Sequence, residues 1–372
     1  MVDMLFFELL RIALGTTDVL SRTPSPEEWS DIFAMSQKQA VAGVMLSGVE
    51  RLPVEQRPPQ ALLLQWIGVV ERVKAQNIML NRRSAEVTLL FADAGFRSCI
   101  LKGQGNARMY PDPLIRRPGD IDIWVDGSRE DIKRFVTTRC PEARDENLHI
   151  EFPYFKDAVV EVHYMPRYSS IPRYNKRLQA WFEERSNAQF TNQVTLPGDD
   201  GNKVCVPTTE FNIVHQMSHI MGHFFVEGIG LRQFIDYYYI LKRLGEECGT
   251  TNYEDLFKHL GLLKFARGVM WIEQECLGLK KECLLVEPDE CVGKVIHKEM
   301  MAGGNFGHYD ERYTARKWGL LARGVTDSYR LLTLVAYFPQ ESLWKIVRKV
   351  ENQKWKLKRM MNSIWHLCKS QP

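Results

Sequence analysis

Short β-like runs are confined to one stretch of this chain, and that confinement sets what it can fold into. From Gly95 the texture turns to FRSCILKG, GDIDIWV, LHIEFPYF and AVVEVHYM, then, after the turn LPGDDGN, to KVCV. A polar helical run, SREDIKRFVTTRC, follows the second of these. Strands interleaved with a helix predict a mixed sheet. On both sides of the stretch the period is helical. The chain opens with MLFFELLRIALG, and Ser25-Pro26-Glu27-Glu28 then supplies a capping residue and a first-turn proline. After Pro59, the residues Trp66, Val70, Val73, Leu80, Val87 and Phe91 recur at multiples of three to four and form one buried stripe. Pro207-Thr208-Thr209 opens a second helical region. The expected fold is α+β and mostly helical: an N-terminal helical cap (1–94), a mixed-sheet domain (95–206) and a C-terminal helical domain (207–372).

A length of 372 residues has room for two or three such units. A formal charge of +3 excludes a chain that binds nucleic acid over its whole surface, so any basic surface is local. The basic place is LWKIVRKVENQKWKLKRMMNSIWHLCK, where Leu343, Ile346, Val347, Val350, Leu357, Met360 and Ile364 make an apolar stripe among lysines and arginines. It reads as a helix packed on the domain with a solvated basic face, or as a contact for an anionic membrane or RNA backbone. The apolar runs, such as LLTLVAYF, fall far short of the roughly 20 residues that span a bilayer. Eight scattered cysteines without a CxxC pair, and no basic-apolar-small leader, point to reduced thiols in a cytoplasm.

In GDIDIWV alternate residues share a face, so Asp120 and Asp122 project together while Ile121, Ile123 and Val125 take the other side. Two adjacent carboxylates repel, and a divalent cation reverses that cost by pairing with both. Such a hard oxygen site suits Mg²⁺ or Mn²⁺. An isolated DxD also fits a solvated strand end; its surroundings decide here. Lys102-Gly103 ends the preceding strand, a short helix covers Gln104 to Tyr110, and Arg116 and Arg117 come just before the acids. Cations and a glycine that admits close backbone approach suit a phosphate. Lys102 equally fits a solvated strand end, and the arginines fit partners for Asp112 or surface acids. A third carboxylate should come from a neighbouring strand. Glu161 in AVVEVHYM shares a face with His163 and is the first candidate; Glu151, across an apparent hairpin at Lys156-Asp157, is the alternative.

The order Lys102-Gly103, Tyr110-Pro111, Arg, Asp120-Ile121-Asp122, then Glu161-Val162-His163-Tyr164 resembles the uncharacterised-nucleotidyltransferase family within the DNA polymerase β-like nucleotidyltransferase superfamily, over about residues 30 to 245. The resemblance implies a small mixed sheet with helices on one side. It implies two metal ions on Asp120 and Asp122, and a third acid, Glu161, that completes the metal site or deprotonates the acceptor. The donor would be a nucleoside triphosphate such as ATP, attacked at its α-phosphorus with loss of pyrophosphate. Lys102, Gly103, Arg116, Arg117 and His163 would contact it. The superfamily usually has Gly-Gly or Gly-Ser where this chain has Lys102-Gly103. A small molecule, a peptide or protein side chain and an RNA end all stay open as acceptors. A catalytically inactive nucleotide-binding or partner-binding protein of the same fold is the alternative.

Three further features lie downstream. His215, His219 and His223 recur every four residues along one helical face. One straight helix seldom supplies three ligands to a tetrahedral ion, so they read as core or cleft residues, His219 foremost, rather than a zinc site for hydrolysis. Arg232 and Asp236 are spaced for an intrahelical ion pair, or for a role at the phosphates. The cysteines read as small buried hydrophobes.

Overall fold

The computed structural model describes residues 2–146, 148–198, 201–247, 250–310, 330–348 and 351. The chain begins with four helices, α1 (Val2–Leu14), α2 (Pro26–Lys38), α3 (Ala42–Arg51) and α4 (Gln60–Ala92). α2 starts at a reciprocal cap: the Glu28 N–H donates to Ser25 Oγ and the Ser25 N–H to the Glu28 carboxylate. α4 runs 33 residues, about 50 Å at 1.5 Å per residue, and buries the whole stripe from Trp66 to Phe91. Its length lets it serve two cores.

The sheet follows: β1 (Arg97–Ile100), the short helix α5 (Gln104–Ala107), β2 (Ile121–Asp126), α6 (Arg129–Arg139), β3 (Arg144–Asp145), β4 (His149–Glu151) and β5 (Val160–His163). The strand order is β1-β2-β5-β4-β3. β2 and β5 are parallel and the other pairs antiparallel, so the sheet is mixed and the fold α+β. β4 and β5 form the expected hairpin. A helix, α7 (Pro172–Gln189), and a two-stranded ribbon of β6 (Gln193–Thr195) and β7 (Lys203–Cys205) complete this part. Helices then take over: α8 (Thr209–Phe224), α9 (Leu231–Glu247), α10 (Tyr253–Leu260), α11 (Leu263–Trp271) and α12 (Glu290–Gly303). α8 and α9 are broken apart at Gly228, whose φ of +102° suits glycine alone.

One apolar cluster packs the sheet face of Ile121, Ile123, Val125, Val160 and Val162 against the second half of α4 and against Ile132 and Val136 of α6. The larger cluster joins α1–α3 and Trp66 and Val70 of α4 to α8–α12, and reaches the opposite sheet face through Cys99, Leu101 and Trp124. The acids of β2 therefore face α8 and α9, not α4. Among the described residues no helix is long and apolar enough to cross a membrane. The basic C-terminal run lies outside the described residues from 349 on, apart from 351.

Candidate active site

The parallel register of β2 and β5 sets Asp122 opposite Glu161 and Trp124 opposite His163. Residues in register on neighbouring strands share a face, so the register alone joins two acids that are far apart in sequence. Asp120 stands just ahead of β2 on that face. Carboxylate oxygens of Asp120, Asp122 and Glu161 all lie within 4.8 Å of one another. Glu151 is opposite Glu161 on β4 but turns to Arg144, 3.8 Å away.

Asp122 is only 2% exposed, and its Oδ1 meets Lys102 Nζ at 2.9 Å and His163 Nε2 at 2.8 Å. Burial alone would raise its pKa; Lys102 and His163 outweigh that and hold it far below the usual carboxylate range. Asp120 moves the other way, raised by the charge of Asp122 and by burial. Burial disfavours the Lys102 charge, yet Asp122, Asp120 and Glu161 keep its pKa above the ordinary lysine value. His163 likewise overcomes burial through hydrogen bonds to Asp122 and Glu161 and is raised. His149 Nε2 lies 3.5 Å from the other Glu161 oxygen. Three carboxylates thus crowd together with Lys102 and the His163 imidazole beside them, and a cation held by all three would relieve their mutual repulsion.

Gly103, next to Lys102, has φ +56° and ψ −108°, and a Cβ there would sit 3.4 Å from the Asp120 carbonyl oxygen. Beyond it, the loop to Asp120 is fastened to two helices. Asn77 of α4 donates to the carbonyls of Leu114 at 2.6 Å and Arg116 at 2.8 Å. Arg116 grips Asp236 of α9 with both forks, Nε at 2.7 Å and Nη2 at 2.8 Å, and Tyr110 Oη donates to the same carboxylate at 2.6 Å. Asp236 therefore pairs with this loop and not with Arg232, its neighbour at helical spacing. Arg232 donates to the carbonyls of Arg117 at 3.0 Å and Pro118 at 3.4 Å, and its guanidinium lies 5.4 Å from the Phe306 ring. Burial lowers Arg232 to about 10.

A narrow cavity brings together Lys102, Gly103, Arg116, Asp120 and Asp122 with Gln216 and His219 of α8, Arg232 and Gln233 of α9, and Phe306. The Arg117 side chain is exposed and not part of that lining. The histidines stack along α8, with ring centroids 6.3 Å apart from His215 to His219 and 4.4 Å from His219 to His223. Burial pushes His215 down to about 3, His223 to about 4 and His219 well below the usual value, so the row is neutral at pH 7. Among the described residues the close metal-donor groups are the acid trio and His149–Glu161–His163; the row on α8 forms neither. Gln216 was open to sequence reading, three residues before His219. Phe306 carried no signal, being brought in by a distant turn with φ +52°.

A family model described as uncharacterised nucleotidyltransferase matches residues 25–278, more than half of the chain, and the chain belongs to that family. An antigenic nucleotidyltransferase-like protein from Paracoccidioides brasiliensis, known from a crystal structure, is similar over 57% of this chain and 95% of its own, at 14% identity and a TM-score of 0.32. That likeness is too low to bear on activity. No curated protein sequence matches.

Proposed function

We propose that the protein is a metal-dependent nucleotidyltransferase that moves a nucleoside monophosphate from a nucleoside triphosphate such as ATP to an acceptor hydroxyl or phosphate. The observation that carries this is the meeting of Asp120, Asp122 and Glu161 within 4.8 Å across paired strands. Their all-oxygen donor set fits Mg²⁺ or Mn²⁺, and these three residues would hold two such ions. Bound there, the ions would screen phosphate charge and polarise the α-phosphorus. Lys102 supplies positive charge to the triphosphate, and Gly103 lets its backbone approach. His163 holds Asp122 in orientation. Arg232 adds positive field across the cavity, while Arg116, its charge answered by Asp236, lines it and keeps the loop before Asp120 in place. The acceptor oxygen bonds to the α-phosphorus as the bond to the bridging oxygen breaks; its proton passes to Glu161, and pyrophosphate leaves with the electron pair.

The test uses ATP labelled at the α- or the γ-phosphate, Mg²⁺ or Mn²⁺, and cell extract as the source of acceptor. Label retained from the α-position supports the proposal; transfer from the γ-position alone marks a kinase and refutes it. Lys102 favours a second reading, an inactive nucleotide- or partner-binding protein, because its ammonium already neutralises Asp122 at 2.9 Å. That reading predicts nucleotide binding indifferent to metal and no α-label transfer.

A further inference from the structure

We propose that Arg167 and Lys345 form an anion seat beside the acid centre, and that this seat takes a phosphate or carboxylate group of the acceptor. The acceptor half of the proposal rests on the nucleotidyltransferase reading above.

Arg167 leaves the end of β5 four residues after His163 and lays its guanidinium on α8. The resting place is Gly222: a Cβ there would fall on the guanidinium, so the missing side chain makes the room. Arg167 Nε is buried and has no hydrogen-bond partner among the described residues. Lys345, on the helical residues 339–348, lies 5.9 Å from the ring of Tyr168, and Arg348 of the same segment donates to the Ser170 carbonyl at 3.4 Å. Lys345 therefore reaches the loop that carries Arg167, close enough for the two charges to act on each other. Burial, then the Arg167 charge, pushes Lys345 down to about 7. Of the carboxylates that act on Arg167, Glu227 is engaged with His223 at 3.1 Å, and Asp122 and Glu161 belong to the acid centre. Both side chains are half-buried, and Glu227, Asp122 and Glu161 favour the Arg167 charge from a distance, but none of them accepts from the buried Nε–H; an anion seated at the guanidinium would supply that acceptor.

The topology assigns that anion to the acceptor. In the order β1-β2-β5 the acids of β2 and β5 lie between two sources of positive charge. Lys102 and Gly103 come from the end of β1; Arg167 comes from the end of β5. In-line phosphoryl chemistry brings nucleophile and leaving group to opposite sides of the phosphorus. With the triphosphate on the Lys102 side, the acceptor approaches from the Arg167 side. A cationic acceptor would be repelled there.

The experiment titrates inorganic phosphate into the full-length protein without metal, and separately titrates a non-hydrolysable ATP analogue with Mg²⁺. Phosphate should bind. Arg167→Ala and Gly222→Ala should each weaken it at least about tenfold, Arg167→Lys less, with analogue binding unchanged. Circular dichroism checks each variant's fold, and Arg167→Lys and Gly222→Ala carry the test if Arg167→Ala does not fold. Phosphate binding untouched by folded variants overturns the seat. Phosphate displaced by the analogue, together with weaker analogue binding by Arg167→Ala, overturns the acceptor assignment and gives the seat to the donor. Arg167-dependent phosphate binding in a protein that binds no analogue with Mg²⁺ sinks the transferase reading and the acceptor role with it, while supporting the anion seat.

Discussion

Asp122 and Asp236 are buried to nearly the same degree, 2% and 3% exposed, and each meets one cation and one further donor. For Asp236 these are the two forks of Arg116 and the hydroxyl of Tyr110, an arrangement in which one negative charge answers one positive charge. For Asp122 they are Lys102 and His163, but Asp120 and Glu161 stand beside it, and the charge does not close. A closed pair holds a loop in place. An open cluster has charge left over for an ion or a substrate. Burial and hydrogen-bond count alone would not tell the two apart; the neighbouring carboxylates do.

Breaking the closed pair should have the largest effect. Asp236→Ala leaves the Arg116 guanidinium buried and unpaired, and denaturant unfolding should show a loss of about 3–5 kcal/mol. A loss below about 1 kcal/mol would mean that Asp236 does not anchor the loop. Asp122→Asn should divide the two clusters: α-label transfer falls roughly 10²–10³-fold, while the loss of stability stays below that of Asp236→Ala, because the attraction lost to Lys102 and His163 is partly offset by relief of repulsion with Asp120 and Glu161. If Asp122→Asn unfolds the protein as Asp236→Ala does, the distinction fails. A third effect, spread over a pH range rather than set by one substitution, concerns the histidine row on α8. Because His215 and His223 are depressed to about 3 and about 4, their contribution is present above the unfolded histidine value near 6.5 and is lost as pH falls toward those values. Unfolding free energies measured between pH 7 and pH 5 should fall by up to about 1.4 kcal/mol per group per pH unit, and His215→Leu should flatten the slope. A flat profile in the unsubstituted protein would show that the row is not buried as neutral imidazole.

The acid strand was legible because period-two alternation puts Asp120 and Asp122 on one face whatever the strand pairs with. That Glu161 rather than Glu151 joins them depended on the β2–β5 register, which a local pattern does not contain. The same limit explains Asp236. Helical spacing offered Arg232 as its partner, but α9 packs so that Asp236 meets a loop more than a hundred residues earlier. α7 had a signal, Pro172 followed by buried Leu178, Trp181 and Phe182, but its polar remainder gave no strong stripe. β3, two residues long, is defined by its partner alone. Phe306 reaches the cavity through a turn whose path is tertiary.

The fastening of the loop between Gly103 and Asp120 bears on the thermodynamics of recognition. Asn77 pins its carbonyls from α4, and Asp236 pins Arg116 and Tyr110 from α9. Ordering a mobile loop on a ligand commonly consumes part of the binding free energy through lost conformational entropy. Here that entropy is given up on folding, so a substrate docking against this loop keeps more of its contact energy as affinity.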